Sequence, residues 1–337
     1  MNRENDPMII TRTPFRISLF GGGTDFPAWY RDNGGAVLST TIDKYSYVSL
    51  RKLPPFFDYK HKIIFFSKQE AFNDLDSIEH PAVREVYRFM DVDQGLVMQH
   101  DGDLPSHSGL GSSSAFTVGL LNALYAMNGK MVSKKRLALD AIHVEQEMIG
   151  EAVGSQDQVA SSFGGLNKIV FSAQSTAEVR PFIISEKKST QLQNSLMLFF
   201  TGFARFAVEI EKDKLQKLDK NRHSLSMMKS IVEAASDILD GDISGYDDIG
   251  MLLHESWMLK KRLSNKVSTD VIDDIYARAL DSGAIGGKIL GAGGGGFILF
   301  YVRPEDRDRL REGLSDLLHV PFRFDTLGSQ VIYFTEE

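Results

Sequence analysis

The sequence predicts an α+β protein built from two domains. In the first half, strand patterns precede a Gly/Ser loop that runs into an apolar helix. In the tail, helix, strand, helix, strand and strand patterns alternate, which is typical of an α/β sandwich of the split βαβ type. A chain of 337 residues also exceeds the usual span of one domain. The polar stretch 185–191 between two apolar strands predicts a division into residues 1–188 and 189–337.

Composition narrows the class of protein. A formal net charge of -7 and a pI near 5.7 argue against nucleic acid as the main partner. No apolar run approaches the length of a membrane span, so we expect no membrane partner. The absence of cysteine excludes disulfides and thiolate metal sites. The polar residues 1–7 contain no hydrophobic signal region, which predicts a cytoplasmic protein, while the oligomeric state stays open.

Periodicity and turn residues predict the elements in order. In the first half they predict strands over 8–20, 36–50, 62–67, 95–100 and 168–171, and helices over 71–90, 115–129 and 134–149, the last capped by Ser133. In the second half they predict strands over 196–201, 297–302, 320–324 and 331–334, helices over 206–240, 247–263 and 269–281, and a charged helix after Pro304.

The Gly/Ser loop is the stretch around which the chain is organised. Residues 104–116 read Leu-Pro-Ser-His-Ser-Gly-Leu-Gly-Ser-Ser-Ser-Ala-Phe. Its glycines let the backbone approach a ligand, and its serines supply hydroxyls where the helix opens. The free N–H groups and the positive end of the helix dipole favour an anion, typically a phosphate. An ordinary capped helix is the alternative interpretation.

Two carboxylates stand in informative places. Glu145 falls on the apolar stripe of the helix over 134–149, where burial of its charge needs a cation or a strong donor. That cation is either an arginine in a salt bridge or a metal ion beside the loop. Asp157 leads an apolar segment, so it is either a helix N-cap or a general base.

A polar corner follows the first strand. Arg16 lies within that strand, where a charge is out of place unless it faces a cleft. Three glycines at 21–23 end the strand, and Thr24 and Asp25 beyond them offer a hydroxyl and a carboxylate to a polyol. A purely structural turn explains the same residues.

Two common nucleotide motifs are absent. Glycines 291, 293 and 296 match G-x-G-x-x-G, but a predicted strand follows them where the Rossmann motif requires a helix. Lys288 precedes Ile289, so the Gly-Lys pair lacks the Ser or Thr of a P-loop. Phosphate binding therefore rests on the Gly/Ser loop.

Three stretches together resemble the GHMP small-molecule kinases. They are residues 14–25 (Pro-Phe-Arg-Ile-Ser-Leu-Phe-Gly-Gly-Gly-Thr-Asp), 105–115 (P-x3-G-L-G-S-S-S-A) and 288–295 (Lys-Ile-Leu-Gly-Ala-Gly-Gly-Gly). Their order and spacing cover nearly the whole chain. The resemblance implies the GHMP kinase fold, with a ribosomal S5 domain 2-like ATP-binding domain, a ferredoxin-like C-terminal domain, and substrate between them.

The resemblance also implies roles for single residues. Ser113 and Glu145 correspond to magnesium ligands, Asp157 to the catalytic base, and Arg16 to the cation beside it. The substrate is expected near Thr24, Asp25, Gly293 and Gly294. ATP is expected at the loop residues Pro105, Ser108, Gly109, Leu110, Gly111, Ser112, Ser113 and Ser114.

Within the superfamily, residues 15–27, 41–45 and 200–205 look most like the D-glycero-D-manno-heptose 7-phosphate kinases. That likeness implies a small-molecule sugar phosphate as substrate, phosphorylated at its anomeric hydroxyl, with ATP and Mg²⁺. Lys44 and Arg205 are the candidate contacts of the far phosphate, unless they pair with surface carboxylates. An anomeric kinase of an unphosphorylated sugar and a non-catalytic sensor of ATP and sugar are the alternatives.

Overall fold

The fold was analysed in a computed structural model, which describes residues 7–66, 68–106, 108–174, 177–202, 207–241 and 246–335, with the backbone alone at 207 and 208. Its first sheet contains the path β13-β1-β2-β5-β3-β4, with β6 and β12 also pairing with β2, and β7 with β6. The strands are β1 (Met8–Phe20), β2 (Gly35–Lys52), β3 (His61–Phe65), β4 (Lys68–Phe72), β5 (Leu96–Gly102), β6 (Asn167–Phe171), β7 (Glu178–Pro181), β12 (Phe324–Asp325) and β13 (Gln330–Phe334).

The first half of the chain also contains helices. They are α1 (Pro27–Asn33), α2 (Pro81–Phe89), α3 (Ser112–Met127), α4 (Lys134–His143) and α5 (Gln156–Phe163). The helix predicted over 71–90 is wrong in its first half, where β4 ends and a 3₁₀ turn covers Leu75–Ser77. The helix begins at Pro81 because proline suits a first helical position, and His80 caps it by accepting from the Val83 N–H at 3.4 Å.

The helix predicted over 134–149 is present but changes its winding. Ser133 caps α4 as predicted, accepting a hydrogen bond from the Arg136 N–H at 3.1 Å. After His143 the chain forms a π-helical turn over Val144–Met148. Such turns inside helices occur frequently at functional sites, and this one carries Glu145.

The second sheet has ferredoxin-like topology. Within the described part of the chain, its four antiparallel strands run in the order β11-β8-β10-β9, with helices between β8 and β9 and between β10 and β11. Its elements, with the preceding helix α6, are α6 (Glu186–Asn194), β8 (Leu196–Phe200), α7 (Ala207–Gln216), α8 (Arg222–Asp240), α9 (Asp247–Leu263), α10 (Asp270–Asp281), β9 (Ala284–Ile289), β10 (Phe297–Val302), α11 (Arg307–Gly313) and β11 (Leu318–His319).

Strand β9 is not among the strands predicted from the sequence, because glycine is depleted in strands and weakens a strand pattern. In the structure its glycines allow close packing: a Cβ on Gly286 would lie 2.0 Å from the Gly250 carbonyl oxygen of α9. The strand brings Lys288 and the following glycine loop toward the first sheet.

The last two strands of the chain do not join the sandwich of the tail, in which the sequence analysis placed them. β13 pairs with β1, with Ile9 opposite Phe334, and β12 pairs with β2, with Phe324 opposite Ile42. The last strands therefore belong to the first sheet. Local patterns identify a strand but not its partner, because partners here are separated by hundreds of residues.

A shared apolar core joins the two sheets. Leu19 of β1, Leu38 of β2, Leu198 of β8 and Leu299 of β10 belong to one buried cluster. This packing fixes the first turn of α3 relative to the glycine loop after β9. In the residues that the structure describes, the helices are too short or too polar to cross a bilayer.

Candidate active site

The Gly/Ser loop connects β5 to α3, as predicted. Gly109 and Gly111 have φ of 88° and 75°, the left-handed region that favours glycine, and α3 begins directly at Ser112. No preceding turn of helix supplies carbonyl acceptors for the first N–H groups of α3, so these groups can donate hydrogen bonds to a bound anion.

The glycine loop at 291–296 lies against the Gly/Ser loop. The Phe297 N–H donates to the Ser108 carbonyl at 3.1 Å. A Cβ on Gly109 would lie 2.6 Å from the Leu290 carbonyl oxygen, and one on Gly291 would lie 2.5 Å from the Gly109 Cα. Only glycine permits this approach, and it closes one wall of a cleft between the two sheets.

Arg16 and Asp157 form a two-pronged ion pair in this cleft. Arg16 Nε donates to Asp157 Oδ1 and Nη2 to Oδ2, both at 2.7 Å, while Nη1 donates to the Gly109 carbonyl at 2.8 Å. The Arg16 side chain is 4% exposed and that of Asp157 is 23% exposed. Asp157 is thus held in one orientation but still reaches the cleft.

The N-cap alternative for Asp157 is wrong. The N-cap position of α5 belongs to Ser155, and Asp157 lies in the first turn. Its carboxylate therefore binds the guanidinium of Arg16 and lines the cleft, and it does not cap its own helix.

Asp25 is a buried carboxyl on the same cleft. It accepts hydrogen bonds from the Gly23 N–H at 2.8 Å and the Gln156 N–H at 3.3 Å. Burial raises its pKa, and the negative charge of Asp157 adds to that effect, while the backbone donors oppose it. Thr24 instead donates its hydroxyl to the carbonyls of Gly21 at 2.8 Å and Ala36 at 2.9 Å, so it supports the turn and not a ligand.

Glu145 is buried at the cleft, 1% exposed. Its Oε2 accepts from the Ser114 hydroxyl at 2.9 Å and from the Gln158 amide, whereas its Oε1 has no hydrogen-bond partner. Burial raises the pKa of Glu145 to about 7. Among the described residues no arginine or lysine forms an ion pair with it, so the predicted salt-bridge alternative is not supported.

The serine hydroxyl that contacts Glu145 is that of Ser114, the neighbour of the predicted Ser113. Ser113 is exposed at the mouth of the same cleft. The helix start thus presents two successive hydroxyls, one anchoring Glu145 and one open to a ligand.

Three lysines to which the sequence analysis assigned no role in the site also line the cleft. They are Lys214 of α7, Lys260 of α9 and Lys288 of β9. Burial lowers the pKa of Lys288 to about 7 and that of Lys260 well below its usual range. A signal for Lys260 was available: it continues the apolar stripe of Leu253 and Trp257 at helical spacing.

Some predicted site residues lie elsewhere. Lys44 corrects our expectation, because it is absent from the described cleft lining and sits 3.8 Å from Asp43, as the surface-pair alternative proposed. Arg205 lies outside the described residues.

The other predicted loop residues differ in their surroundings. The side chain of Leu110 enters the core, and Pro105 is exposed and is not part of the cleft lining. Ser108 is fully buried, Gly294 donates its N–H to Val267, and Gly293 lines the cleft.

Comparison with known proteins agrees with this architecture. The GHMP kinases N terminal domain matches residues 78–165, and the GHMP kinases C terminal domain matches residues 233–319. A D-glycero-alpha-D-manno-heptose 7-phosphate kinase of Campylobacter jejuni is 33% identical over 91% of this chain and 93% of its own. A galactokinase of Pyrococcus furiosus is 24% identical over 90% of each chain.

Solved structures show the same fold. A D-glycero-D-manno-heptose 1-phosphate kinase from Bacteroides thetaiotaomicron superimposes with a TM-score of 0.77 at 23% identity, covering 96% of this chain and 99% of that one. Galactokinase of Lactococcus lactis with bound galactose gives a TM-score of 0.72 at 17% identity, covering 98% and 95%. Motifs, fold and sequence similarity agree: the chain belongs to the GHMP kinases, enzymes that transfer a phosphoryl group to a hydroxyl acceptor.

Proposed function

We propose that this protein is an ATP-dependent kinase of the anomeric hydroxyl of a sugar phosphate, with D-glycero-D-manno-heptose 7-phosphate converted to the 1,7-bisphosphate. The observation that carries the proposal is the Arg16–Asp157 pair between the Gly/Ser loop and the glycine loop. The similarity to the Campylobacter jejuni heptose kinase supports the choice of sugar.

Asp157 is suited to act as the general base. Its carboxylate takes the proton of the sugar O1 hydroxyl as O1 attacks the γ-phosphorus of ATP, and the bond from that phosphorus to the bridging oxygen breaks to release ADP. Arg16 holds both carboxylate oxygens in place, so the proton acceptor needs no reorientation during the reaction.

The N–H groups of residues 109–114 hold the phosphates of ATP. Phosphoryl transfer depends mostly on positioning and on neutralising negative charge, which a loop at a helix N-terminus supplies. The glycines of the 291–296 loop let backbone approach the same phosphates and the sugar from the other side of the cleft.

The residues present fit a magnesium ion. Glu145 Oε1 is a buried oxygen without a partner, and the hydroxyls of Ser113 and Ser114 lie at the same cleft. Mg²⁺ is commonly held by one or two carboxylates together with substrate phosphates and water, and the described residues hold no group of three or more acidic or histidine ligands that would bind it alone. When bound, Mg²⁺ neutralises charge on the transferring phosphate.

Asp25 is suited to bind a sugar hydroxyl. Two backbone N–H groups orient its carboxyl, and its oxygens keep acceptor capacity toward the cleft. The adjacent Gly22 and Gly23 line the same cleft.

Turnover of a sugar panel tests the proposal. We expect kcat/KM for heptose 7-phosphate to be about 10²-fold or more above that for free heptose or galactose. A sugar that lacks the phosphate leaves the polar groups that bind it without a partner, which is costly. Phosphorus NMR should show the new phosphate on C1. Equal efficiency on free and phosphorylated sugars would indicate a kinase of a neutral sugar, and ATP binding without turnover on any sugar would indicate a sensor.

A further inference from the structure

Three buried lysines converge on the cleft beside the Arg16–Asp157 pair. Lys214, Lys260 and Lys288 come from α7, α9 and β9, and are 7%, 5% and 2% exposed. Lysine is almost never this buried unless it is paired. Three such residues lining one cleft therefore need an explanation that the mechanism above does not supply.

The partners of these lysines do not neutralise the cluster. Lys214 forms an ion pair with Glu211 at 2.8 Å. Lys260 donates to the carbonyls of Ile289 at 2.8 Å and Gly291 at 2.5 Å, and Lys288 donates to the Leu19 carbonyl at 2.9 Å. In the described residues, neither Lys260 nor Lys288 forms an ion pair with a carboxylate. Because an ammonium has three donors, Lys288 keeps two and Lys260 keeps one for a ligand.

The charges of the cluster act on one another. After burial itself, the positive charges of Lys288 and Lys214 lower the pKa of Lys260, and those of Arg16 and Lys214 lower the pKa of Lys288. Glu211 opposes the effect at Lys260, and Asp25 opposes it at Lys288. Burial and mutual repulsion therefore both disfavour the charged lysines, and a bound anion would offset both effects by stabilising their protonated form.

We infer that Lys214, Lys260 and Lys288 form the binding site for the phosphate group that the sugar substrate carries away from its reacting hydroxyl. The inference rests on the proposed function and replaces Lys44 as the contact of that phosphate. A phosphate dianion supplies the missing countercharge and accepts several charge-assisted hydrogen bonds.

The γ-phosphate of ATP has the same chemistry, but the position of the cluster favours the sugar. Lys288 is near enough to Asp25, the proposed sugar-hydroxyl ligand, for the two charges to interact. The phosphates of ATP already have the N–H groups at the start of α3 as donors. A sugar bound at Asp25 would thus bring its own phosphate to the lysines.

The test compares Lys214→Met and Lys260→Met with wild type and with Lys261→Met. Lys261 is a matched control, because it is the next residue of α9 but pairs with Asp273 at 3.2 Å outside the cleft. For each protein, kcat/KM is measured for heptose 7-phosphate and free heptose, together with the KM for ATP and the melting temperature. We expect the two cleft variants to lose about 10²-fold in kcat/KM on heptose 7-phosphate, with little change on free heptose.

The other outcomes separate the possible failures. A rise in the KM for ATP with an unchanged ratio between the two sugars would assign the cluster to ATP and overturn the inference. An equal loss on both sugars with a lowered melting temperature would show a structural role and also overturn it. If wild type does not prefer heptose 7-phosphate, the proposed function fails together with the inference. If wild type prefers it and the variants keep the preference, the inference alone fails.

Discussion

The guanidinium of Arg16 holds both oxygens of Asp157 at 2.7 Å while also binding the Gly109 carbonyl. One side chain of β1 thus connects the proposed base on α5 with the loop that precedes α3. The charge and orientation of Asp157 and the position of the loop are therefore coupled through a single residue.

Replacing the proposed base should abolish most of the activity without unfolding the protein. For Asp157→Asn we expect kcat to fall about 10²- to 10⁴-fold, the usual contribution of a positioned base, with ATP binding retained. Steady-state kinetics and ATP titration measure this, with the exposed Asp32→Asn as the control. Unchanged kcat would remove Asp157 from the mechanism.

Arg16→Lys should separate charge from geometry. A lysine keeps the positive charge, but it cannot bind two carboxylate oxygens and the Gly109 carbonyl in one fixed plane. We expect kcat to fall about tenfold or more, because a small misplacement of a catalytic group is costly. If Arg16→Lys retained the wild-type kcat, charge alone would be sufficient and the two-pronged geometry would have no role.

Glu145→Gln should raise the Mg²⁺ concentration needed for half-maximal rate, because a charged oxygen ligand of a hard cation is lost. A magnesium titration of activity checks this, and Glu147→Gln serves as the control, since Glu147 is exposed two residues further on. Identical titration curves for Glu145→Gln and wild type would contradict a magnesium role for this carboxylate.

Gly291→Ala should separate the two glycine-bearing loops. Its new Cβ would lie 2.5 Å from the Gly109 Cα, whereas Gly129 has the same φ of 64° with no atom within 4 Å of a new Cβ. Both substitutions carry the roughly 1 kcal/mol strain of a left-handed residue, but only Gly291→Ala adds a backbone clash. We expect Gly291→Ala to lower the free energy of unfolding more than Gly129→Ala does, and to lower kcat as well. If the two variants had equal free energies of unfolding and equal kcat values, close contact between the two loops would not be needed.

Lys288→Met should flatten the dependence of stability on pH above neutrality. Lys288 has a pKa of about 7 in the folded protein and an ordinary value of 10.5, so between these pH values the unfolded chain holds a proton that the folded protein lacks. Wild-type stability therefore gains up to about 1.4 kcal/mol per pH unit from this group as pH rises through that window. Urea unfolding from pH 6 to pH 10 measures the slope, and a slope equal to that of wild type would show that Lys288 titrates normally.

Short-range patterns in the sequence determined the elements nearest the reaction. The strand over 8–20, the helix over 247–263 and the strand over 297–302 have the predicted bounds in the structure. These segments have a clear hydrophobic period and end at turn residues, so their limits depend mainly on neighbours along the chain. The motifs around Arg16, the Gly/Ser loop and Lys288 also indicated the family, and similarity to known GHMP kinases confirms it.

The tertiary structure alone decided which of these groups meet. The pairing of β13 with β1, the contact of Ser114 with Glu145 and the gathering of three lysines from three elements each join residues distant in sequence. Lys44 shows the converse, since a lysine in a motif-like stretch turned out to lie beside Asp43 rather than in the cleft. Periodicity reports which face of an element is apolar, but the free energy that selects one partner over another comes from packing and charge between elements, which depend on their three-dimensional arrangement.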